Sequence, residues 1–127
     1  MTRRTFMLAM AWFHMLFGVF FLFFNVFATN LILRDPGPTS PLLVKGLSGI
    51  VFAFGLLNYM ARDSADSKAL RAVLVCTAFY LLFTIAFDVY WTLTGLLHPV
   101  AWYSIGIRAV FACGYLYHIS RHRTPTS

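Results

Sequence analysis

Four apolar stretches, each long enough to cross a lipid bilayer, constrain this chain more than any motif it carries. A helix rises about 1.5 Å per residue, so a hydrocarbon core of about 30 Å needs about 20 mostly apolar residues. Stretches over residues 6–33, 42–60, 70–94 and 100–119 meet that length, and the first is interrupted only by His14, Asn25, Thr29 and Asn30. Across lipid, every backbone N–H and C=O must be satisfied within its own segment, so such stretches are helices. No ten-residue alternating pattern points to a β-barrel instead. The fold class expected is all-α: a four-helix transmembrane bundle forming one integral membrane domain over residues 1–127, with a tail from residue 120.

Composition agrees. Hydrophobic residues make up 60% of the 127 and charged residues 11%, against about 45–50% and about 25% in soluble domains. A water-soluble particle of this size has too much surface to hide that much apolar side chain. A soluble enzyme, a disordered tail and a disulfide-stapled secreted module are therefore excluded. The punctuation fits four helices. Arg34 to Pro41 holds three of the five prolines and cannot continue a helix, while Pro41 suits the first turn of the next one. Residues 61–68 form a short polar link in which Asp66 or Ser67 is placed to cap the third helix. Gly95 closes that helix and Pro99 opens the fourth after a tight hairpin.

The ten Lys and Arg residues sort by side. Arg3, Arg4, Arg62, Lys68, Arg71, Arg121 and Arg123 fall at one end of the spans, Arg34 and Lys45 at the other, and Arg108 inside the fourth. The positive-inside rule then places both termini in the cytoplasm, as in a bacterial inner membrane or its equivalent. The net charge of +6 is mostly this orientation signal, with some attraction for anionic headgroups. No basic cluster sits on a soluble surface large enough to dock a nucleic acid. A rival reading takes Arg3-Arg4, the apolar run and Val26-Phe27-Ala28 as a cleaved secretory signal, but the run exceeds the usual apolar core of 7–15 residues.

Asp88 and Arg108 are the charges deepest in the apolar part. Counted from the hairpin between the third and fourth helices, both lie roughly 10–13 Å below the same edge, so they are placed to meet. A facing carboxylate and guanidinium offset the cost of an unpaired charge in lipid. Around them, Thr77, Tyr80, Thr84, Asp88 and Trp91 share one helix face. Ser104, Arg108 and Tyr115 share another, and His14, Gly18 and Asn25 a third. Lys45 either snorkels to the interface or offers Asp88 a second partner. The candidate site is therefore Asp88, Arg108, Lys45, His14, Asn25, Thr84 and Tyr80. It is either a polar cavity or a set of ordinary interhelical bonds. Asn25 and Asn58 are costly in lipid and are expected to bond to neighbouring helices. Gly46, Gly49 and Ala53, with Gly106 and Gly114, mark small-residue faces that serve internal packing or an oligomer seam. Trp91, Trp102 and Tyr103 at one boundary, and Tyr59, Tyr115 and Tyr117 at the other, read as an aromatic belt.

Signals for chemistry are scarce. The chain has no Glu, and paired carboxylates, a Walker loop, a G-x-S-x-G elbow and an H-E-x-x-H site are all missing. Cys76 and Cys113 form no C-x-x-C pair and read as small buried apolar residues. Of the four histidines, His14 and His118 alone share a half of the bundle, a poor basis for a bis-His haem. No catalytic residue, metal ligand or cofactor is assigned, which points away from an enzyme.

A long first helix, a Pro/Gly-rich loop, a second helix opening Leu43-Val44-Lys45-Gly46-Leu47 and a tight final hairpin with polar residues at matching depth complete the pattern. In this the chain resembles the small four-helix DoxX-like membrane proteins and, more loosely, the sterol-biosynthesis scaffold proteins of similar size. The resemblance implies an accessory or scaffold role beside a partner membrane protein, or in a homo-oligomer, and carries over no catalytic residue. Two other functions stay open: a small oligomeric transporter or channel using Asp88 and Arg108, and a redox or lipid-modifying component with a lipid or quinone site.

Overall fold

The computed structural model describes residues 1–121, folded into helices α1 (Arg3–Phe23), α2 (Asn25–Ile32), α3 (Ser40–Ala61), α4 (Lys68–Leu93) and α5 (Ala101–Arg121). Residues 122–127, with His122 and Arg123 of the expected basic tail, lie outside the described residues. Three of the helices, α1, α3 and α4, are long and apolar enough to cross a membrane. The fifth matches α1 in length at 21 residues but carries Ser104, Arg108, His118 and Arg121.

The continuous first helix expected over 6–33 is divided at Phe24, whose φ of −113° and ψ of 34° leave the helical region. Asn25 supplies the cause. Its side-chain amide donates to the Leu22 carbonyl at 3.1 Å, the acceptor that the Val26 N–H would use in a straight helix. The Thr29 hydroxyl donates in turn to the Asn25 carbonyl at 2.7 Å. Either side of the bend the ladder holds, with Phe24 N–H on Phe20 O and Ala28 N–H on Phe24 O, both at 2.8 Å.

Local chemistry sets the other ends. The Thr2 hydroxyl accepts from Thr5 N–H to cap α1, and Ser67, rather than Asp66, accepts from Leu70 N–H to cap α4. At the end of α4, Gly95 takes φ of 83°. Leu96 N–H reaches back to Trp91 O at 2.9 Å and Gly95 N–H to Thr92 O at 3.2 Å, the paired bonds of a Schellman stop. The chain thereby reverses within a few residues, and α5 returns along α4.

Two antiparallel pairs result, α1 with α3 and α4 with α5. The first is a crossing of backbones. A Cβ built on Gly18 would lie 2.9 Å from Phe52 N, and one on Gly55 would lie 2.8 Å from Met15 N and 2.9 Å from Ala11 O. Only glycine permits that approach. By contrast, Gly46, Gly49 and Gly106 have no neighbour within 4 Å, whereas Gly114 abuts the Phe6 ring. The close approach of α1 and α3 is thus made at Gly18, against Phe52, and at Gly55, against Met15 and Ala11, and the Gly46–Gly49 face points outward.

The pairs join around one core. Phe6, Met7 and Met10 of α1 pack with Leu70, Leu74, Ala78 and Leu81 of α4 and with Ala112 and Tyr115 of α5. Phe54 of α3 stacks on Tyr80 of α4 with ring centroids 4.4 Å apart. At the far end a single antiparallel bridge ties Leu33 to Leu97, through Arg34 N–H on Leu96 O at 3.1 Å and His98 N–H on Ile32 O at 2.9 Å. Outside this core the molecule is apolar, with Trp12, Leu16, Phe23, Phe27, Leu43, Phe79, Phe83, Val110 and many others exposed. Cys76 and Cys113, expected to be buried, are exposed as well.

The backbone crossing makes a sharp prediction. Gly55→Ala must push Met15 and Ala11 backbone aside and is expected to cost about 1–3 kcal/mol, the usual range for overpacking. Gly49→Ala meets open space and should be neutral or stabilise by up to about 1 kcal/mol through helix propensity. Thermal unfolding of the purified protein in detergent reads both, and equal losses at the two positions would contradict the crossing.

Candidate functional site

The chemistry-bearing side chains fall into three groups, each placed by a different part of the fold. The first is the pair Asp88 and Arg108. Asp88 stands five residues before the end of α4 and Arg108 seven residues after the start of α5, so the tight Gly95 turn brings them level. A side chain on a helix leans toward its N-terminus, and that leaning aims Arg108 back at the turn. Its Nε–H donates to Ser104 O at 3.3 Å, and its Nη2 donates to Asp88 Oδ2 in an ion pair. The two side chains keep 19% and 22% of their exposure, so each is the other's main source of neutralisation. The Thr92 hydroxyl donates to the Asp88 main-chain carbonyl at 2.6 Å and leaves the carboxylate to the guanidinium.

The remaining residues of the candidate set bond elsewhere. Tyr80 lies two turns from Asp88 on the same face and presents its ring to Phe54. The Thr84 hydroxyl donates to Leu81 O at 3.0 Å. His14 is buried, with Nδ1 2.8 Å from Met10 O; a carbonyl only accepts, so Nδ1 carries the proton. Asn25, expected to bond to a neighbouring helix, donates its amide instead to Leu22 O one turn back in the same run, and Lys45 is exposed near the start of α3. No hydrogen bond or ion pair joins His14, Asn25 or Lys45 to the pair. Of the expected polar stripe on α1, Gly18 packs against Phe52 of α3, and α1 meets α5 through Phe13, next to His14, edge-on to Phe111 with centroids 4.7 Å apart.

The second group was only half anticipated. The Tyr115 hydroxyl donates to Asn58 Oδ1 at 2.7 Å, and Asn58 Nδ2 donates to Phe54 O at 2.8 Å, with both residues fully buried. The sequence places Asn58 in a bond across helices, and Tyr115 both on the face of Ser104 and Arg108 and in the aromatic belt; the structure takes the first of these for Tyr115. The signal that places it inside is its step of three and seven residues from Ala112 and Arg108 on the inward face of α5. A buried amide and hydroxyl that satisfy each other fix α3 against α5 at one register.

The third group fastens the end where the chain starts. Arg3 pairs with Asp66 and donates to Ser64 O at 2.8 Å. Arg4 lies 2.7 Å from Asp63, and Arg62 3.2 Å from the same carboxylate, with its guanidinium 3.7 Å above the Tyr59 ring. Read from sequence as orientation charges, these arginines also tie the first turn of α1 to the α3–α4 link. Among the described residues no group of three or more His, Cys, Asp or Glu is gathered so as to hold a metal ion.

Compared with known proteins, the chain matches no family model, no curated protein and no solved structure.

Removing one partner of the buried hydrogen bond strands the other. Tyr115→Phe leaves Asn58 Oδ1 unsatisfied and is expected to cost about 1–3 kcal/mol in thermal unfolding. Adding Asn58→Leu should recover part of that loss, because no polar atom is then left unpaired. A double variant that loses the sum of the two single losses would show that the bond is not what couples them.

Proposed function

We propose that this chain is an integral membrane protein of four spans with both termini in the cytoplasm, acting as a non-catalytic accessory or scaffold subunit. In this reading α1 continued by α2, α3, α4 and α5 are the spans, and Asp88 with Arg108 is the clasp that holds the last one in lipid. The observation that carries it is the ion pair. An isolated charge at that depth costs about 2.5–3.5 kcal/mol on insertion scales, and the pair lets α5 enter beside α4 with that cost largely offset. The apolar exterior of the other helices supports the bilayer as their solvent. The excess of Lys and Arg at the end bearing Arg3, Arg62 and Lys68 supports a cytoplasmic location for it.

A structural role for the pair is supported by how the polar groups are used. His14 and Thr84 bond within their own helices and Asn25 bonds locally across the α1–α2 bend, and the centre between the helix pairs is filled by Phe6, Met7, Met10, Leu74 and Tyr115. That is the design of a packed support, one that presents an apolar surface to a neighbour. The resemblance to the DoxX-like membrane proteins points the same way, toward a partner membrane protein or further copies of this chain. The transporter reading draws on the one-fifth exposure that Asp88 and Arg108 retain, which would admit a small solute beside them.

Neutralising the pair separates the readings. For a clasp, Asp88→Asn and Arg108→Gln should each lower stability by about 2–3 kcal/mol, since each leaves its partner charged and alone. The double variant should lose less than either single one, and a partner should copurify at fixed stoichiometry in mild detergent. A transport site instead predicts solute flux in liposomes that Asp88→Asn abolishes while the fold stays intact, and that result would overturn the scaffold role.

A further inference from the structure

The basic end of the molecule is not uniformly basic. Its acids are Asp63 and Asp66: Asp66 pairs with Arg3, and Asp63 with Arg4 and Arg62. Three arginines are thus matched by two carboxylates where α1 meets the α3–α4 link. On the other side stand Lys68 and Arg71 in the first turns of α4 and Arg121 at the end of α5, all exposed. None has a carboxylate partner among the described residues. Lys68 and Arg71 are three residues apart and so share a helix face. The antiparallel pairing of α4 with α5 puts Arg121, the last residue of α5, at the same end of the pair as the start of α4. The Arg121 guanidinium sits over the Tyr117 ring, 5.0 Å from its centroid, and the residue is exposed, which leaves its N–H groups accessible for hydrogen bonding.

We infer that Lys68, Arg71 and Arg121 form a docking surface for the headgroups of anionic phospholipids, confined to the α4–α5 side of the molecule. The occupant follows from charge and place. Three exposed cations with no carboxylate partner among the described residues, at the rim of an apolar bundle, face the layer where lipid phosphates lie. Guanidinium groups bind a phosphate through two parallel hydrogen bonds, and the lysine adds a point charge. Arg3, Arg4 and Arg62 sit at the same rim but each is paired with a carboxylate, two acids offsetting most of three positive charges, so the side they occupy attracts anionic lipid less. The consequence is an asymmetric lipid shell, richer in anionic lipid beside α4–α5 than beside α1–α3. This inference rests on the membrane-spanning reading, and the test separates the failure of one from the failure of the other.

The full-length protein would be reconstituted in equimolar phosphatidylglycerol and phosphatidylcholine vesicles and re-extracted in a neutral detergent, and the retained lipids quantified. A cation near an anionic surface is worth about a fivefold factor, which corresponds to ~1 kcal/mol, so the wild type is expected to retain phosphatidylglycerol at least about fivefold over phosphatidylcholine. The enrichment should fall with added salt. It should vanish in Lys68→Gln/Arg71→Gln/Arg121→Gln, fall stepwise in the three single variants, and persist in Arg4→Gln. Equal retention of both lipids by the wild type, or enrichment that survives the triple variant, would overturn the inference alone. Retention of neither lipid would overturn the membrane-spanning reading beneath it.

Discussion

Arg108 is the residue whose placement decides what the last third of the chain can do. Without it, α5 would be one more apolar helix. With it, α5 requires a compensating carboxylate, and among the described residues the carboxylate that reaches it is Asp88. The Gly95 turn makes the meeting possible: a longer loop would let the two helices slide, whereas the Schellman stop and the Leu33–Leu97 bridge fix where α5 begins. A charge pair of this kind adds little stability over an apolar pair of the same shape, but it penalises every arrangement that separates the partners. On the four-span reading, it sets the register and the depth of α5 together.

The rest of the fold is held by contacts of a different character. Between α1 and α3 there is no charge to match, and the association comes from backbones brought close at Gly18 and Gly55, which multiplies dispersion contacts along the crossing. Between the two helix pairs, the centre is filled by aromatic, methionine and aliphatic side chains, with the Tyr115–Asn58 bond as a polar tie from α5 to α3. The end bearing the N-terminus is closed by arginine–aspartate pairs and the opposite end by backbone hydrogen bonds. Each end of the bundle is therefore tied across the pairs by polar contacts, and the middle mainly by packing.

Helix content and the position of the turns were legible in the sequence because they depend on local chemistry: apolar length, Pro41, Ser67 and Gly95. The bend at Phe24 was not, since the apolar run passes through it unbroken and the cause is one amide, that of Asn25, taking a carbonyl from the ladder. Asp88 and Arg108 could be set level by counting from the hairpin. Which small residues face inward could not be read that way. Gly46 and Gly49 look as suited to close packing as Gly18 and Gly55, and only the rotation of α3 about its axis tells them apart. The same holds for Tyr115 and for Cys76 and Cys113. Periodicity groups residues on a face but does not say which face meets a neighbour when nearly every face is apolar.

The central claim is that α5 crosses the membrane beside α4, and side-specific labelling tests it most directly. In a background with Cys76→Ser and Cys113→Ser, single cysteines placed by Thr5→Cys, Leu96→Cys and Ser120→Cys would be exposed in intact cells to a membrane-impermeant maleimide. The prediction is that position 96 labels from outside, while positions 5 and 120 label only after the membrane is opened. Labelling of positions 96 and 120 from the same side would mean that α5 does not cross, and would contradict the role given to Asp88 and Arg108.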